Sequence, residues 1–315
     1  MASCHNLFQD FHQNIRLLKS KRDKMKSSKE ALRKKIVNHF KEKHPEYKPK
    51  FYIQGSYKTK NGIRYKDDTA DLDDGVYFER DPDVTATTLQ KWVYEAVEGH
   101  TSGGQQHKKK CIRVIYAGDF HIDLPVLYKT DDMDHPRLAV KNEGWVDDDP
   151  KEFVEWFNRS KDQDGQLIRD TMYLKAWGDH KRNSMPSGLC MTILGEKNAK
   201  YDDRDDISLH ETLKNIKNSL SAFWTCTMPT WPYENLFEKY DQTFKDNFFK
   251  NLDAFIEDAD EAIQTDDKGK ASKLWRKHLG DRFPKYENTE ENSSSNNSSK
   301  AALAGVAYVS KPWGH

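Results

Sequence analysis

The sequence contains no apolar run approaching the ~20 residues that a bilayer-spanning helix requires. Its opening residues, MASCHNLFQDF, lack the basic, apolar and small-residue succession of a secretory signal, so a cytoplasmic protein with no membrane partner is expected. Cysteine is scarce. Cys4, Cys111, Cys190 and Cys226 are the only four in 315 residues, and they lie far apart with no CxxC pair and no His at zinc-finger spacing, so they read as free thiols. Net charge is also absent, because 51 Lys and Arg balance 51 Asp and Glu. The chain therefore lacks the overall basic footprint of duplex-nucleic-acid binders. The cancellation is between segments: residues 19–50 are rich in Lys and Arg, while 131–149 and 202–206 are acidic, as solvated helix and loop faces are.

The length suits a two-lobed enzyme, and an aromatic content of 12% is enough to fill its core. Residues 5–44 carry apolar side chains at near-helical spacing, predicting one long or two consecutive amphipathic helices ended by Pro45 and Pro49. FYIQGS (51–56) reads as a strand entering a Gly-Ser turn, and ADLDDGVYFE (70–79) as a second strand. A helix is expected over 84–100, then an antiparallel pair over 111–116 and 119–128. Beyond residue 149 the periodic stretches are helical: 151–160, 166–182, 187–197, 210–223 and 244–262. Strands first and helices second imply an α+β enzyme with a mixed-sheet catalytic lobe, a helical lobe and a cleft between them. The expected division is 1–148 for the N-terminal helix and catalytic lobe, 149–286 for the helical lobe, 287–300 for a Ser/Asn-rich linker and 301–315 for a C-terminal tail.

Asp71 and Asp73 are one residue apart, and the two-residue period of a strand puts both carboxylates on one face while Leu72 turns to the core and Asp74 away. Like charges held so close call for a hard divalent cation. In FHIDLPV the apolar Phe120, Ile122 and Leu124 share one face, so Asp123 emerges on the other with Asp119 and His121. A third carboxylate on a neighbouring strand completes a two-metal site, in which ions roughly 3.5–4 Å apart serve an attacking hydroxyl and a leaving pyrophosphate. Gly55 and Ser56, at a strand end upstream, offer close backbone N–H groups and a hydroxyl for phosphate. Taken singly, a Gly-Ser pair or a DxD pair is as readily a turn or a solvated strand edge.

The ordered set GSY (55–57), DLD (71–73) and HIDLP (121–125) resembles the signature of the polymerase-beta-like nucleotidyltransferase superfamily, which includes poly(A) polymerase, CCA-adding enzyme and oligoadenylate synthetase. Within it, QGSYK (54–58), HIDLPVLY (121–128), YLKAWGD (173–179) and PSGLCMTIL (186–194) resemble the bacterial cGAS/DncV-like nucleotidyltransferases, the CD-NTases of anti-phage CBASS operons. That resemblance implies synthesis of a cyclic di- or trinucleotide messenger from nucleoside triphosphates, ATP or GTP foremost, with two Mg²⁺ or Mn²⁺ ions. It implies that Asp71 and Asp73 bind both ions and that Asp123 completes the one beside the attacking hydroxyl and accepts its proton. It further implies that Gln54, Gly55, Ser56, Lys175 and Ser187 bind nucleotide. A solvated Lys175 and an N-capping Ser187 are the competing readings, and Arg113 and Arg169 are further candidates for phosphate or base contact.

No His-Cys-Cys zinc cluster is present, so activation by duplex DNA, as in animal cGAS, is not expected. The tail resembles those captured or conjugated by a ubiquitin-transfer-like operon partner, with Gly314 as the small residue and Tyr308 and Trp313 as docking aromatics, although His315 follows Gly314. The alternatives are an RNA 3'-terminal nucleotidyltransferase, which needs a basic and aromatic track for its polymer, and a non-catalytic scaffold, which has no use for three unsatisfied carboxylates.

Overall fold

The computed structural model describes residues 2–287. The chain runs through α1 (His5–Ile15), α2 (Lys19–Lys43), β1 (Pro49–Gln54), α3 (Gly55–Thr59), β2 (Asp71–Phe78), α4 (Ala86–Ala96), β3 (Gln105–His107), β4 (Ile112–Tyr116), β5 (Phe120–Leu124), β6 (Val126–Tyr128), β7 (Arg137–Val140) and β8 (Gly144–Asp147). Helices follow: α5 (Pro150–Ser160), α6 (Gln166–Lys181), α7 (Gly188–Lys197), α8 (Asp205–Ala222), α9 (Gln242–Gln264) and α10 (Lys268–Leu279). This is the expected α+β order. No helix among the described residues is long and apolar enough to cross a membrane.

The strands form one mixed sheet in the order β3-β4-β5-β2-β6-β7-β8, with β1 also on β2. β5 and β6 are successive pieces of one run, and both pair in parallel with β2. Pro125 separates them because it has no N–H to give the ladder, yet its carbonyl still accepts from Val76 N. One face of the sheet is apolar. Leu72, Val76, Ile122 and Leu124 pack there against Met25, Leu32, Ile36 and Phe40 of α2 and Leu89 and Val93 of α4. Asp74 is buried on this same face, where Arg33 of α2 forks onto its carboxylate. Asp71, Asp73 and Asp123 occupy the opposite face, toward the helices.

Three expectations are corrected. The helix α1, assigned by sequence to the catalytic lobe, packs in the helical core: Phe8 meets Tyr173, Trp275 and Phe283 edge-on, and Phe11 stacks on Tyr173. Burying each of the two phenylalanines there is worth about 1.5–3 kcal/mol. The turn after β1 is a short helix, α3, and Asp119 leaves the face of Asp123 because Lys21 and Lys24 of α2 hold its carboxylate. The β7–β8 hairpin, α10 and the first turn of α8 are additional to the sequence reading. At the start of α8, Asp205 and Asp206 are buried because Arg169 and Arg204 pair with them. Residues 288–315, which hold most of the expected linker and all of the tail with its partner, lie outside the described residues.

Candidate active site

Strand register assembles the site. Parallel pairing sets Asp73 beside Asp123 and Asp71 beside His121, while antiparallel pairing sets Gln54 opposite Asp73. The next residue, Gly55, therefore arrives against the Asp73 carboxylate. Its φ is +60°, and a Cβ there would lie 2.1 Å from Asp73 Oδ2. Only glycine satisfies both conditions without movement. Ser56 follows on the cleft wall, where its carbonyl accepts from Gly62 N at 3.1 Å and a Cβ on Gly62 would lie 3.2 Å from its hydroxyl.

The three carboxylates are held differently. Asp71 accepts from Tyr65 Oη at 3.2 Å and is hydrogen-bonded to His121 Nδ1 at 3.1 Å. Asp123 accepts two 2.7 Å bonds from the Arg113 guanidinium, whose Nη2 also lies 3.7 Å from Asp71. The negative carboxylate holds Arg113 well above its ordinary pKa. The Asp73 carboxylate has no hydrogen bond or ion pair among the described residues. Burial and the negative charges of Asp123 and Asp71 push its carboxyl up to about 7, against the weaker pull of Arg113 and Lys175. Lys175 reaches the same floor from α6 and donates to the Asn61 carbonyl at 3.1 Å; burial brings its ammonium down to about 7, with Asp73 opposing. It is not the solvated lysine of the competing reading.

The cleft above these groups measures about 480 Å³ and lies between the sheet and α6 and α7. An unpartnered carboxylate between two others, with phosphate-compatible backbone beside it, fits a hard divalent cation. Asp71 and Asp73 have free lone pairs to offer such an ion. Asp123 joins them only when Arg113 releases an oxygen.

The remaining expected site residues are less open. Gln54 lines the cleft base but is buried, and its Oε1 accepts from Tyr77 Oη at 3.3 Å. Ser187 is the N-cap of α7, its Oγ accepting from Cys190 N, while its neighbours Pro186 and Gly188 face the cleft. Arg169 does not line the cleft and forks onto buried Asp205 instead. Tyr65, Asn61 and Asp179 also belong to the site and were not singled out by sequence. Asn61 is fully buried and donates to Thr171 and Thr192, tying the β1–β2 connection to α6 and α7. Asp179 accepts from Lys66 N and Arg282, fixing the loop that carries Tyr65. An Asn-Gly pair at 61–62 is the one sequence signal for this node, and it reads simply as a turn.

Comparison with known proteins places this geometry. Residues 49–127 match the family model of the cyclic GMP-AMP synthase DncV-like nucleotidyltransferase domain, a span that includes Gly55, Ser56, Asp71, Asp73, Arg113 and Asp123. The fold as a whole is similar to the Vibrio cholerae DncV cyclic AMP-GMP synthase, at a TM-score of 0.77 and 18% identity over 91% of this chain and 98% of that one. The same enzyme in complex with the linear intermediate 5' pppA(3',5')pG gives 0.79 and 18%, over 91% and 97%. Escherichia coli DncV with 3'-deoxy GTP gives 0.71 and 20%, over 86% and 93%. The resemblance read from the motifs holds as a match over residues 49–127 to the DncV-like nucleotidyltransferase domain model, within a chain that has the fold of the DncV enzymes.

Proposed function

We propose that the protein joins nucleoside triphosphates into a cyclic dinucleotide, with release of pyrophosphate at each bond. The observation that carries this reading is the unpartnered Asp73 carboxylate, flanked by Asp71 and Asp123 and touched by Gly55, at the floor of a cleft. Asp71 and Asp73 would hold two Mg²⁺ ions, with Asp123 as a further ligand to one of them. When bound, the metal stabilises phosphoryl charge and favours deprotonation of the attacking hydroxyl.

The chain's own groups do the positioning. The backbone of Gly55 and the Ser56 hydroxyl receive the triphosphate, and Gly55 brings it close to Asp73 because no side chain intervenes. Lys175, facing the same floor, adds positive charge where negative charge accumulates at transfer. Tyr65 and His121 orient Asp71, and Asp123 takes the hydroxyl proton once Arg113 has let go of one oxygen. Gln54 and Ser187 act from behind, one under the strand end and one at the start of α7. The Vibrio cholerae relative is a cyclic AMP-GMP synthase captured with an A-to-G linear intermediate, which supports purine triphosphates as substrates. Use of the product in anti-phage signalling is part of the same proposal.

The test is to incubate the protein with Mg²⁺ and all four labelled ribonucleotides, treat with phosphatase and identify products by mass, beside an Asp71→Asn, Asp73→Asn control. A phosphatase-resistant cyclic product missing from the control is expected. Linear tails on an added RNA primer, with no cyclic product, would replace this reading with RNA 3'-end extension.

A further inference from the structure

A second group of metal-competent side chains lies outside the carboxylate floor. His135 is in the β6–β7 loop, Asp149 is the N-cap of α5 and Glu152 is in the first turn of that helix. His135 Nδ1 is 2.9 Å from Asp149 Oδ2 and 3.7 Å from Glu152 Oε2, and one ligand atom from each residue lies within 4.8 Å of the other two. An ion with N and O ligands at about 2.0–2.2 Å has tetrahedral ligand-to-ligand edges of roughly 3.4 Å. The two separations from His135 bracket that edge, and the Asp149 and Glu152 ligand atoms lie within 4.8 Å of each other, so side-chain shifts of about an ångström bring all three atoms onto one ion.

Charge and support point the same way. Two carboxylates face a single imidazole, and neither has a Lys or Arg within ion-pair distance among the described residues. The groups are also braced from outside the trio: Trp231, on the loop before α9, donates its backbone N–H to Glu152 Oε2 at 3.2 Å, and its ring lies parallel to His135 at 5.2 Å and 8°. Hydrogen-bonded and stacked partners of this kind fix ligand orientation in metal sites. A mixed imidazole and carboxylate set suits a borderline ion better than Mg²⁺, which prefers oxygen and retained water.

We propose that His135, Asp149 and Glu152 form a second cation site, separate from Asp71, Asp73 and Asp123, for a divalent transition-metal ion of the zinc class. Water completes the coordination. The ion fastens the β6–β7 loop to α5 and, through Trp231, to the loop before α9. Pro150 and Phe153 of α5 line the nucleotide cleft, so the site braces one cleft wall.

The test is a Co²⁺ titration of the metal-free full chain under saturating Mg²⁺, read by visible absorption and followed by Zn²⁺ displacement. One Co²⁺ per chain is expected, with a ligand-field band that Zn²⁺ abolishes and a Zn²⁺-dependent rise in Tm. His135→Ala should remove the band and the Tm rise. Asp149→Asn keeps an N-cap of equal quality, so it should fold normally yet weaken Zn²⁺ binding at least tenfold. Absence of the band from the wild-type chain, or a band and affinity unchanged in both variants, overturns the proposal and leaves His135 as the counter-ion of Asp149.

Discussion

Replacing Gly55 with alanine separates backbone strain from damage to the site. The φ of +60° alone costs an alanine about 1–2 kcal/mol, a loss that appears as a Tm lower by a few degrees. The added Cβ also lies 2.1 Å from Asp73 Oδ2, where ordinary contact begins at 3.4 Å, so the carboxylate or the α3 turn must retreat by more than an ångström. A misplacement of about 1 Å costs on the order of 10²-fold in rate, or about 2.7 kcal/mol of transition-state stabilisation. Gly99 supplies the control: its φ is +64° and nothing lies within 4 Å of its added Cβ. Gly55→Ala and Gly99→Ala should therefore lose similar stability in thermal melts, while only Gly55→Ala loses pyrophosphate release, by about 10²-fold. Equal activity in the two folded variants would refute the claim that Gly55 is chosen for its approach to Asp73.

Arg113→Ala strips Asp123 of both charged hydrogen bonds and should lower stability by about 1–3 kcal/mol in Mg²⁺-free buffer, with Mg²⁺ restoring part of the loss as it takes the guanidinium's place; melts with and without the ion check this. Asp73 has a folded pKa raised to about 7, so the folded state binds the extra proton between about pH 4 and 7 and metal-free stability falls as pH rises through that window. Asp73→Asn should thus raise the metal-free Tm at pH 8 more than at pH 5. Lys175, lowered to about 7, has the opposite sign above neutrality: stability lost while it is charged returns as pH rises from about 7 toward 10, and Lys175→Met should flatten that limb of the curve. Arg169→Ala leaves buried Asp205 without its ion pair and should cost about 3–5 kcal/mol, measured by urea unfolding, with turnover per folded molecule unchanged.

What the sequence disclosed and what it withheld divide by the range of the interactions. Asp71, Asp73 and Asp123 were legible because strand alternation is local: Leu72 and Ile122 turn into the core, which leaves the three carboxylates on the other face, lining one cleft. Gly55 was legible as a glycine turn at a strand end, but its close approach to Asp73 depends on the β1–β2 register. Arg113 was read as a candidate for phosphate or base contact, whereas its fork on Asp123 follows from pairing across β4 and β5. Arg169 misled the reading, because a guanidinium looks alike in sequence whether it meets a ligand or a buried aspartate, and Ser187 took the N-cap place that was its competing reading. The docking of α1 on the helical core was hidden because its amphipathic stripe shows which face is buried and not what covers it. The strands of the β7–β8 hairpin are four residues each, too short for periodicity to show.

The central claim is that the orphan carboxylate of Asp73 is a metal ligand at a nucleotide site. The most direct measurement is a crystal structure with Mn²⁺ and a non-hydrolysable nucleoside triphosphate, read by manganese anomalous scattering. The account predicts manganese between Asp71 and Asp73 with the triphosphate against Gly55 and Ser56. A triphosphate bound in the cleft with no manganese at those two carboxylates would contradict it.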